Sequence, residues 1–218
     1  MPTVLLTGAT GYIGSHTWVA LLASGFDVVG IDNFANSSAR VLSRIESITG
    51  RPAVFLEGDA CNSSDLDDLF AAHRVDATIH FAALKAVGEA EREPLRYWAN
   101  NLGALTNTAA AMQRHGCKRM VFSSSATVYG NPLHLPLSEA SPTAAINVYG
   151  HTKLACEQVL HDTAAADPSW HNAILRYFNP VGAHGSGLIG EDPRGVPNNL
   201  MPYIAQVAVG RRKHLQVF

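Results

Sequence analysis

The segment VLLTGATGYIG, residues 4–14, determines the fold expected for this chain. A short apolar run, Val4–Thr7, is followed by three regularly spaced glycines, Gly8, Gly11 and Gly14, and then by a sequence typical of a helix. Glycines at this spacing permit a tight turn, and they let backbone N–H groups approach a pyrophosphate at the positive end of a helix. The pattern is a spacing variant of the dinucleotide-binding fingerprint, and its strand–turn–helix context strengthens that interpretation.

Further along the chain, short apolar segments alternate with helical ones. The predicted strands are Val28–Ile31, Val54–Leu56, Ala77–Phe81, Met120–Ser123 and Asn172–Tyr177, and the predicted helices include Asp65–His73, Pro94–His115, Tyr149–Ala166 and a late one over residues 198–210. This alternation indicates an α/β fold, a doubly wound parallel sheet covered by helices on both faces. Periodicity ends near Asn179-Pro180, so we expect a dinucleotide-binding Rossmann domain over residues 1–179 and the beginning of a smaller substrate domain over residues 180–218.

The composition argues against several functional classes. With 16 Lys and Arg against 18 Asp and Glu, the chain gives no reason to expect a nucleic-acid or membrane partner. No apolar run approaches the roughly 20 residues that a membrane span needs, and no signal segment is visible. Cys61, Cys117 and Cys156 are widely separated, and the ten histidines form no HxH or HExxH pattern, so we predict no metal site. We expect a cytoplasmic protein.

An acidic residue closes the second predicted strand. Asp32 follows Val28–Ile31 at a position where a carboxylate accepts hydrogen bonds from the 2′-hydroxyl of an adenosine ribose and repels a 2′-phosphate. We therefore expect NAD rather than NADP as the cofactor. The alternative is that Asp32 is a turn residue, because the Asp32-Asn33 pair favours turns in any case.

Two later segments offer further candidate cofactor contacts. Asp59 ends the third strand and is a candidate adenine contact, with a turn role as the alternative. The segment FAALK, residues 81–85, leaves the fourth strand with small residues that suit backbone packed against a ribose or a nicotinamide. Lys85 is expected either to reach the cofactor hydroxyls or to be solvated.

Tyr149 and Lys153 carry the predicted chemistry. Tyr149 is the only one of the six tyrosines with a lysine four residues later, and positions i and i+4 share one face of a helix. A tyrosine with its reference pKa of about 10 is protonated at neutral pH, and a nearby ammonium favours the phenolate. We therefore predict that Tyr149 is a general base whose pKa is lowered by Lys153. The alternative is two surface residues one turn apart.

Hydroxyl groups follow the fifth predicted strand in the segment SSSATVYG, residues 123–130. The carboxyl end of a parallel strand faces the crevice where such sheets bind ligands. Ser125 or Thr127 is therefore expected to hydrogen-bond a reacting alcohol while Tyr149 takes its proton. Ordinary turn serines are the alternative, and the absence of a GxSxG elbow makes nucleophilic serine catalysis the weaker interpretation.

Seven motifs together resemble a known family: GATGYIGSHT, FAALKAVGEAEREPL, FSSSATVYG, YGHTK, LRYFNPVGAH, GEDPRG and PNNLMPYIAQVAVGRR. The chain is similar to the UDP-glucose 4-epimerases of the extended short-chain dehydrogenase/reductases, in register from Val4 to Phe218. The glycine turn and Tyr-x-x-x-Lys are common to the wider family, whereas SSSATVYG, RYFNPVGA and PNNLMPYIAQVAVGRR are more specific. Ala126 and Thr127 stand where related dehydratases and decarboxylases usually have an acidic residue, so the resemblance favours epimerisation.

The resemblance implies roles for individual residues. Tyr149 would be the active-site base, Lys153 its pKa-lowering and nicotinamide-ribose partner, and Ser125 the ligand of the substrate hydroxyl. The NAD site would comprise Gly8, Gly11, Tyr12, Ile13, Gly14, Asp32, Asn33, Asp59, Phe81, Ala82, Lys85, Asn100 and Phe178, together with Ser125, Tyr149 and Lys153. The sugar nucleotide would contact Ser125, Thr127, Tyr149, Asn179, Asn199 and Phe218.

The activity that the resemblance implies is the interconversion of UDP-galactose and UDP-glucose. Bound NAD would remove the C4 hydride of the hexose, the 4-keto intermediate would turn in the pocket, and the hydride would return to the opposite face. The resemblance also implies a homodimer formed through the helices Pro94–His115 and Tyr149–Ala166. Plain packing of these helices onto the sheet is the alternative.

The resemblance further implies a longer protein, because the run HLQVF, residues 214–218, looks like the beginning of a strand. We therefore expect an exposed apolar patch at Leu200, Met201, Ile204 and Val207, and weak or absent activity of the chain as it stands. The alternative functions are another NAD-dependent nucleotide-sugar short-chain enzyme and a non-catalytic NAD-binding fragment.

Overall fold

A six-stranded parallel sheet forms the centre of the molecule in the computed structural model, which describes residues 1–193 and 199–215. Its strands are β1 Thr3–Thr7, β2 Asp27–Asp32, β3 Val54–Glu57, β4 Ala77–His80, β5 Arg119–Ser125 and β6 His171–Tyr177. They lie in the order β3-β2-β1-β4-β5-β6, and every neighbouring pair is parallel. The order reverses between β1 and β4, which opens a crevice at the carboxyl ends of these strands.

Helices pack on both faces of the sheet. They are α1 Tyr12–Ala23, α2 Arg40–Thr49, α3 Ser63–Ala72, α4 Val87–Arg92, α5 Pro94–Arg114, α6 Val148–Ala166 and α7 Leu200–Ala208, and a 3-10 turn spans Ala126–Tyr129. One apolar core joins α1 and α2 to the sheet around the fully buried Trp18. The other joins α3, α5 and α6 to the opposite face around Phe122 and Leu160. Burial of these side chains supplies the main stabilising free energy.

The predicted doubly wound α/β fold is confirmed, and each predicted strand matches an observed one with small shifts at the ends. Two helices, α2 and α4, were not predicted. The expectation that helices cover both faces of the sheet is wrong at β6, where His171, Ala173 and Leu175 are exposed. The reason is that α1 and α2 pack beside β1, β2 and β3, at the other end of the sheet.

The late helix begins and ends two residues inside its predicted range of 198–210. Leu200, Met201 and Ile204 expose 61%, 42% and 38% of their surface, as expected for an apolar patch on α7. Val207 is instead half-buried. Of the strand expected to begin in residues 214–218, His214 and Leu215 are described and are not in a strand, whereas the remaining residues, Phe218 among them, lie outside the described residues.

Within residues 1–193 and 199–215, no helix combines the length and the apolar character needed to cross a membrane. The same residues contain no group of three or more His, Cys, Asp or Glu side chains arranged to hold a metal ion. All three cysteines are free thiols, and Cys117 and Cys156 are buried.

Candidate active site

The glycine turn is packed so closely that side chains cannot replace its hydrogens. Gly8 has φ +64°, and a Cβ there would lie 2.8 Å from the backbone nitrogen of Ala82, just beyond β4. A Cβ on Gly14 would lie 2.3 Å from the carbonyl oxygen of Gly8. Gly11 is the N-cap of α1 and places no side chain over the first amides of that helix. The turn therefore presents backbone and a positive helix end to the crevice.

Asp32 organises the loop that follows β2. Its Oδ2 accepts a hydrogen bond from the Thr10 amide at 3.1 Å, and its Oδ1 accepts from the Phe34 amide at 2.9 Å and from Ser37 Oγ at 3.2 Å. The amide of Thr10 belongs to the glycine turn, so Asp32 joins that turn to the β2 loop. The turn role considered for Asp32 is therefore present, and the same carboxylate borders the cavity described below.

Asp59 has a similar position at the end of β3. Its Oδ1 accepts from the Cys61 amide at 2.8 Å, and its Oδ2 accepts from Asn33 Nδ2 at 2.9 Å. Both bonds stabilise the loops after β2 and β3, as expected for a turn residue. Asn33, a predicted cofactor residue, is thereby fixed to Asp59.

Tyr149 and Lys153 lie on the face of α6 that packs against β5. The cap of α6 is Asn147, whose side-chain oxygen accepts a hydrogen bond from the Gly150 amide at 2.8 Å and so fixes where the helix begins. One turn further on, Lys153 Nζ donates to the Ser123 carbonyl at 2.8 Å. Tyr149 and Ser125 line the same cavity, and interaction with Ser125 favours the phenolate of Tyr149. Both predicted catalytic positions of the helix therefore lie at the end of β5.

The Ser125 hydroxyl lies at the centre of this group. Its Oγ accepts a hydrogen bond from the Thr127 amide at 3.2 Å and from Thr127 Oγ1 at 2.9 Å. The first of these bonds caps the 3-10 turn that begins at Ala126. Ser125, Thr127 and Tyr149 therefore converge, as the sequence predicts for a site that binds a reacting hydroxyl group.

Burial dominates the protonation of the tyrosine–lysine pair. Lys153 is only 3% exposed, and burial lowers its pKa to about 8. Burial also raises the pKa of Tyr149 to about 12, while the interaction with Ser125 acts in the opposite direction. The prediction that Lys153 lowers the pKa of Tyr149 is wrong in this structure. The ammonium is 5.8 Å from the centre of the tyrosine ring and donates to the strand carbonyl instead.

A buried histidine that the sequence analysis did not identify lies near Lys153. Thr7 Oγ1 and His80 Nδ1 are 2.9 Å apart, and the imidazole stacks on Phe122 with 6.1 Å between ring centres. Burial, and secondarily the charge of Lys153, lower the pKa of His80 to about 3. His80 is therefore neutral at working pH and adds no second cation beneath the tyrosine–lysine pair.

Glu191 connects the cofactor side of the crevice to its other wall. Lys85 Nζ lies 3.6 Å from Glu191 Oε1, and Asn199 Nδ2 donates to the same oxygen at 2.5 Å. Nearby, the Tyr12 hydroxyl donates to the Gly182 carbonyl at 2.9 Å. Lys85 is thus paired with a carboxylate whose side chain is only 9% exposed, while its own side chain remains partly exposed to solvent.

One cavity of about 790 Å³ contains the predicted site residues. They are Gly8, Gly11, Tyr12, Ile13, Gly14, Asp32, Asn33, Asp59, Phe81, Ala82, Lys85, Asn100, Ser125, Thr127, Tyr149, Lys153, Phe178, Asn179 and Asn199. Phe218 lies outside the described residues. The structure therefore brings these residues together, while their individual roles remain predictions.

Several residues that line the cavity were not predicted as site residues. Among them are Arg44 on α2, Tyr177 at the end of β6, and Glu191. Glu191 stands in the GEDPRG motif, but nothing in that motif indicates its contacts. They depend on bringing the loop after β6 against Lys85, more than a hundred residues earlier in the chain.

The fold and the site define a class of protein. A parallel sheet in this order, with a glycine turn at the switch point and a tyrosine–lysine pair beside it, is the Rossmann-type dinucleotide-binding architecture. The model of the NAD dependent epimerase/dehydratase family matches residues 4–217, and the chain belongs to this family.

Individual relatives are similar over nearly the whole chain. The chain is 54% identical over 215 residues to a UDP-glucose 4-epimerase of Bacillus subtilis (strain 168). That match covers 99% of the chain and 63% of the relative. It is 51% identical over 225 residues to a UDP-glucose 4-epimerase of Mus musculus, and this match covers 100% of the chain and 65% of the relative. The chain therefore spans less than two-thirds of the length of these relatives.

A solved structure has the same fold. The UDP-glucose 4-epimerase from Bifidobacterium longum, in complex with NAD+ and UDP, matches with a TM-score of 0.96 and 50% identity. The match covers 99% of the chain and 65% of that structure.

Proposed function

We propose that this chain is the NAD-binding part of a UDP-hexose 4-epimerase, an isomerase that interconverts UDP-galactose and UDP-glucose through a 4-keto intermediate. The observation that carries the proposal is the meeting of Ser125, Tyr149 and Lys153 in the cavity that also holds the glycine turn and Asp32. A proton-transferring group and a dinucleotide turn in one crevice suit redox chemistry at a carbinol carbon.

The residues of the cavity fit NAD. The turn packs closely against Ala82 and α1 because Gly8 and Gly14 have no Cβ, and it leaves backbone amides able to reach a pyrophosphate. Asp32 at the end of β2 suits an unphosphorylated adenosine ribose and disfavours NADP. Asn33, Asp59, Phe81, Ala82, Lys85, Asn100 and Phe178 would complete the site.

The protein side of the chemistry is proton transfer and orientation. Ser125 would hydrogen-bond the 4-hydroxyl of the hexose, and Tyr149 would take its proton and return it. Lys153, held by the Ser123 carbonyl, would supply positive charge at a fixed place beneath them. NAD, when bound, supplies the hydride acceptor and donor for the sugar carbon. Hydride transfer at one carbon and proton exchange at its hydroxyl oxygen require no further acid, in keeping with Ala126 and Thr127 before Val128.

Residues 180–218 would form the beginning of the substrate domain, and residues 1–179 the cofactor domain. Asn179 and Asn199 lie on the cavity wall where the sugar nucleotide would bind, and Glu191 joins Asn199 to Lys85. Phe218 is proposed as a further substrate contact from the resemblance alone.

We also propose that the protein is a cytoplasmic homodimer. The support for a dimer is the exposure of apolar side chains on α5, where Leu95 and Trp98 are one turn apart with 82% and 36% of their surface accessible. The three free thiols suit a reducing compartment.

The test is to incubate the purified chain with UDP-galactose and to measure both UDP-glucose formed and NAD released on denaturation. We expect bound NAD with at most weak formation of UDP-glucose, and none in Tyr149→Phe. Net release of NADH would indicate a dehydrogenase instead. Bound NAD without product would indicate a non-catalytic NAD-binding fragment, and the absence of NAD would contradict the assignment of the cavity.

A further inference from the structure

Helix α6 faces the end of β5 at three successive turns. Tyr149 lies beside Ser125 in the cavity, Lys153 donates to the Ser123 carbonyl, and Glu157 accepts a hydrogen bond from the Ser124 hydroxyl. Because the three helix residues are spaced by four, they lie on one face of α6. The mechanism proposed above uses the first two of these contacts and leaves Glu157 without a role.

Glu157 forms a buried ion pair with a neighbouring strand. Arg176 donates from Nε to Glu157 Oε1 at 3.0 Å and from Nη2 to Glu157 Oε2 at 2.7 Å. The glutamate is 2% exposed. Ser124 and Arg176 are paired in the register of β5 and β6, so one carboxylate holds two adjacent strands to α6. Bidentate pairs of this kind fix orientation as well as distance.

Arg176 also contacts the segment after the strand. Its guanidinium carbon lies 4.8 Å from the centre of the Tyr129 ring, which ends the 3-10 turn that begins directly after Ser125. The Glu157–Arg176 pair therefore contacts Ser124, immediately before Ser125, and Tyr129, four residues after it. A single pair of charged groups therefore contacts the chain on both sides of Ser125 in the sequence.

We propose that Glu157 is a positioning residue which, through Ser124 and Arg176, places the Ser125 hydroxyl against the Tyr149 phenol. The inference rests on the proposed function, in which those two hydroxyls contact the substrate. Stability alone is a weak reason for such a pair, because buried ion pairs can often be replaced by apolar side chains without loss of stability. What the ion pair provides here is a fixed orientation of the Ser125 side chain.

The test measures the interaction between Ser125 and Tyr149 directly, at neutral pH and without substrate. The chain is labelled with [13Cζ]tyrosine, and the Tyr149 resonance is identified by its loss in Tyr149→Phe. Ser125→Ala provides the chemical shift of Tyr149 without its serine partner. We expect Glu157→Gln, which keeps the shape but not the charge, to move the Tyr149 resonance most of the way to the Ser125→Ala position.

Two further variants keep the result decisive if Glu157→Gln folds poorly. Ser124→Ala removes only the link between Glu157 and β5 and leaves the ion pair intact, so it should move the resonance in the same direction by a smaller amount. Leu69→Ala, in the core beneath α3, lowers stability away from the site and should leave the resonance unmoved. A shift of the same size in Leu69→Ala would mean that Glu157 acts only through general stability.

The proposal is overturned if the Tyr149 resonance stays at its wild-type position in both Glu157→Gln and Ser124→Ala, or if Ser125→Ala itself causes no shift. Turnover is measured separately on the same samples. A wild-type chain that binds no NAD would count against the proposed function, whereas the resonance comparison would still decide the role of Glu157.

Discussion

At the scale of single residues, the chemistry of the site depends on how burial acts on two ionisable side chains. Burial favours the neutral forms of both Tyr149 and Lys153. The sequence spacing correctly predicts that the two residues share a helix face. It does not indicate how deeply the site is buried, or that the Ser123 carbonyl accepts a hydrogen bond from the lysine ammonium. The direction of the tyrosine pKa shift was therefore beyond sequence reasoning.

Replacing the phenol tests the role of Tyr149. In a version of the protein extended to the length of its relatives, we expect Tyr149→Phe to lower the rate of epimerisation by about 10²–10⁴, because a general base typically contributes that factor. The amount of NAD released on denaturation should be unchanged, since the ring remains in place. A rate near that of the wild type would remove Tyr149 from the mechanism.

Burial of Lys153 should make the stability of the protein depend on pH. The pKa of Lys153 is about 8 in the folded chain against an ordinary 10.5, so the unfolded chain binds more protons between these values. Stability from this group is therefore greatest above pH 10.5 and is lost as the pH falls through 8. Relative to Lys153→Met, the wild type should gain up to about 3 kcal/mol in free energy of unfolding as the pH rises through that window.

Urea denaturation of both proteins at a series of pH values measures this difference. Other titrating groups are common to the two proteins and cancel in the comparison. A difference that is constant from neutral pH to pH 10.5 would show that Lys153 is not desolvated in the folded chain.

At the scale of helices and strands, apolar periodicity predicted the elements that enter the core and missed those that depend on tertiary contacts. Helix α2 is short, and Ile45 is its only fully buried residue, while Val41, Leu42 and Ile48 are partly buried against the core. Helix α4 is six residues long and is held by Tyr97, which bonds both the Ala86 amide and Glu89. Such a helix has no strong signal of its own in the sequence.

The packing of α1 against the glycine turn leads to a paired prediction. Gly14 and Gly103 both lie inside helices, but only at Gly14 would a Cβ collide with backbone, 2.3 Å from the Gly8 carbonyl oxygen. Gly103→Ala should raise the free energy of unfolding by about 0.5–1 kcal/mol, because alanine favours the helix. Gly14→Ala should lower it by roughly 1–3 kcal/mol and abolish NAD binding.

Thermal or urea unfolding, with calorimetric titration of NAD, measures both effects. Equal gains in stability for the two variants would show that the turn can move away from α1. Undiminished NAD binding in Gly14→Ala would show that the amides of this turn do not hold the pyrophosphate.

At the scale of the whole molecule, the cavity combines residues from almost the full length of the chain, from Gly8 to Asn199. Motifs predicted which residues meet there, because strand ends in a parallel sheet converge at one edge. They did not predict the contacts between motifs, such as Glu191 with Lys85 or Glu157 with Arg176. Those contacts depend on where loops and strands lie in the folded chain, which no local sequence pattern specifies.

The proposed dimer is tested on the exposed face of α5. Leu95→Glu should raise the dimer dissociation constant at least about tenfold, because a carboxylate would be desolvated in the interface. Leu133→Glu is the matched control, since Leu133 is 92% exposed in a loop that the proposed interface does not include. Sedimentation equilibrium measures both constants. A monomeric wild type, or equal effects of the two changes, would contradict a dimer formed through α5.

The three adjacent serines at the end of β5 are expected to differ in their tolerance of substitution. Ser123 contributes its carbonyl to Lys153, Ser124 its hydroxyl to Glu157, and Ser125 its hydroxyl to Tyr149. Alanine keeps the carbonyl but not the hydroxyl. In a saturation scan scored by activity, position 123 should therefore accept alanine, whereas positions 124 and 125 should reject it. A run that looks like a simple polar repeat therefore has a constraint on the hydroxyl group at only two of its three positions.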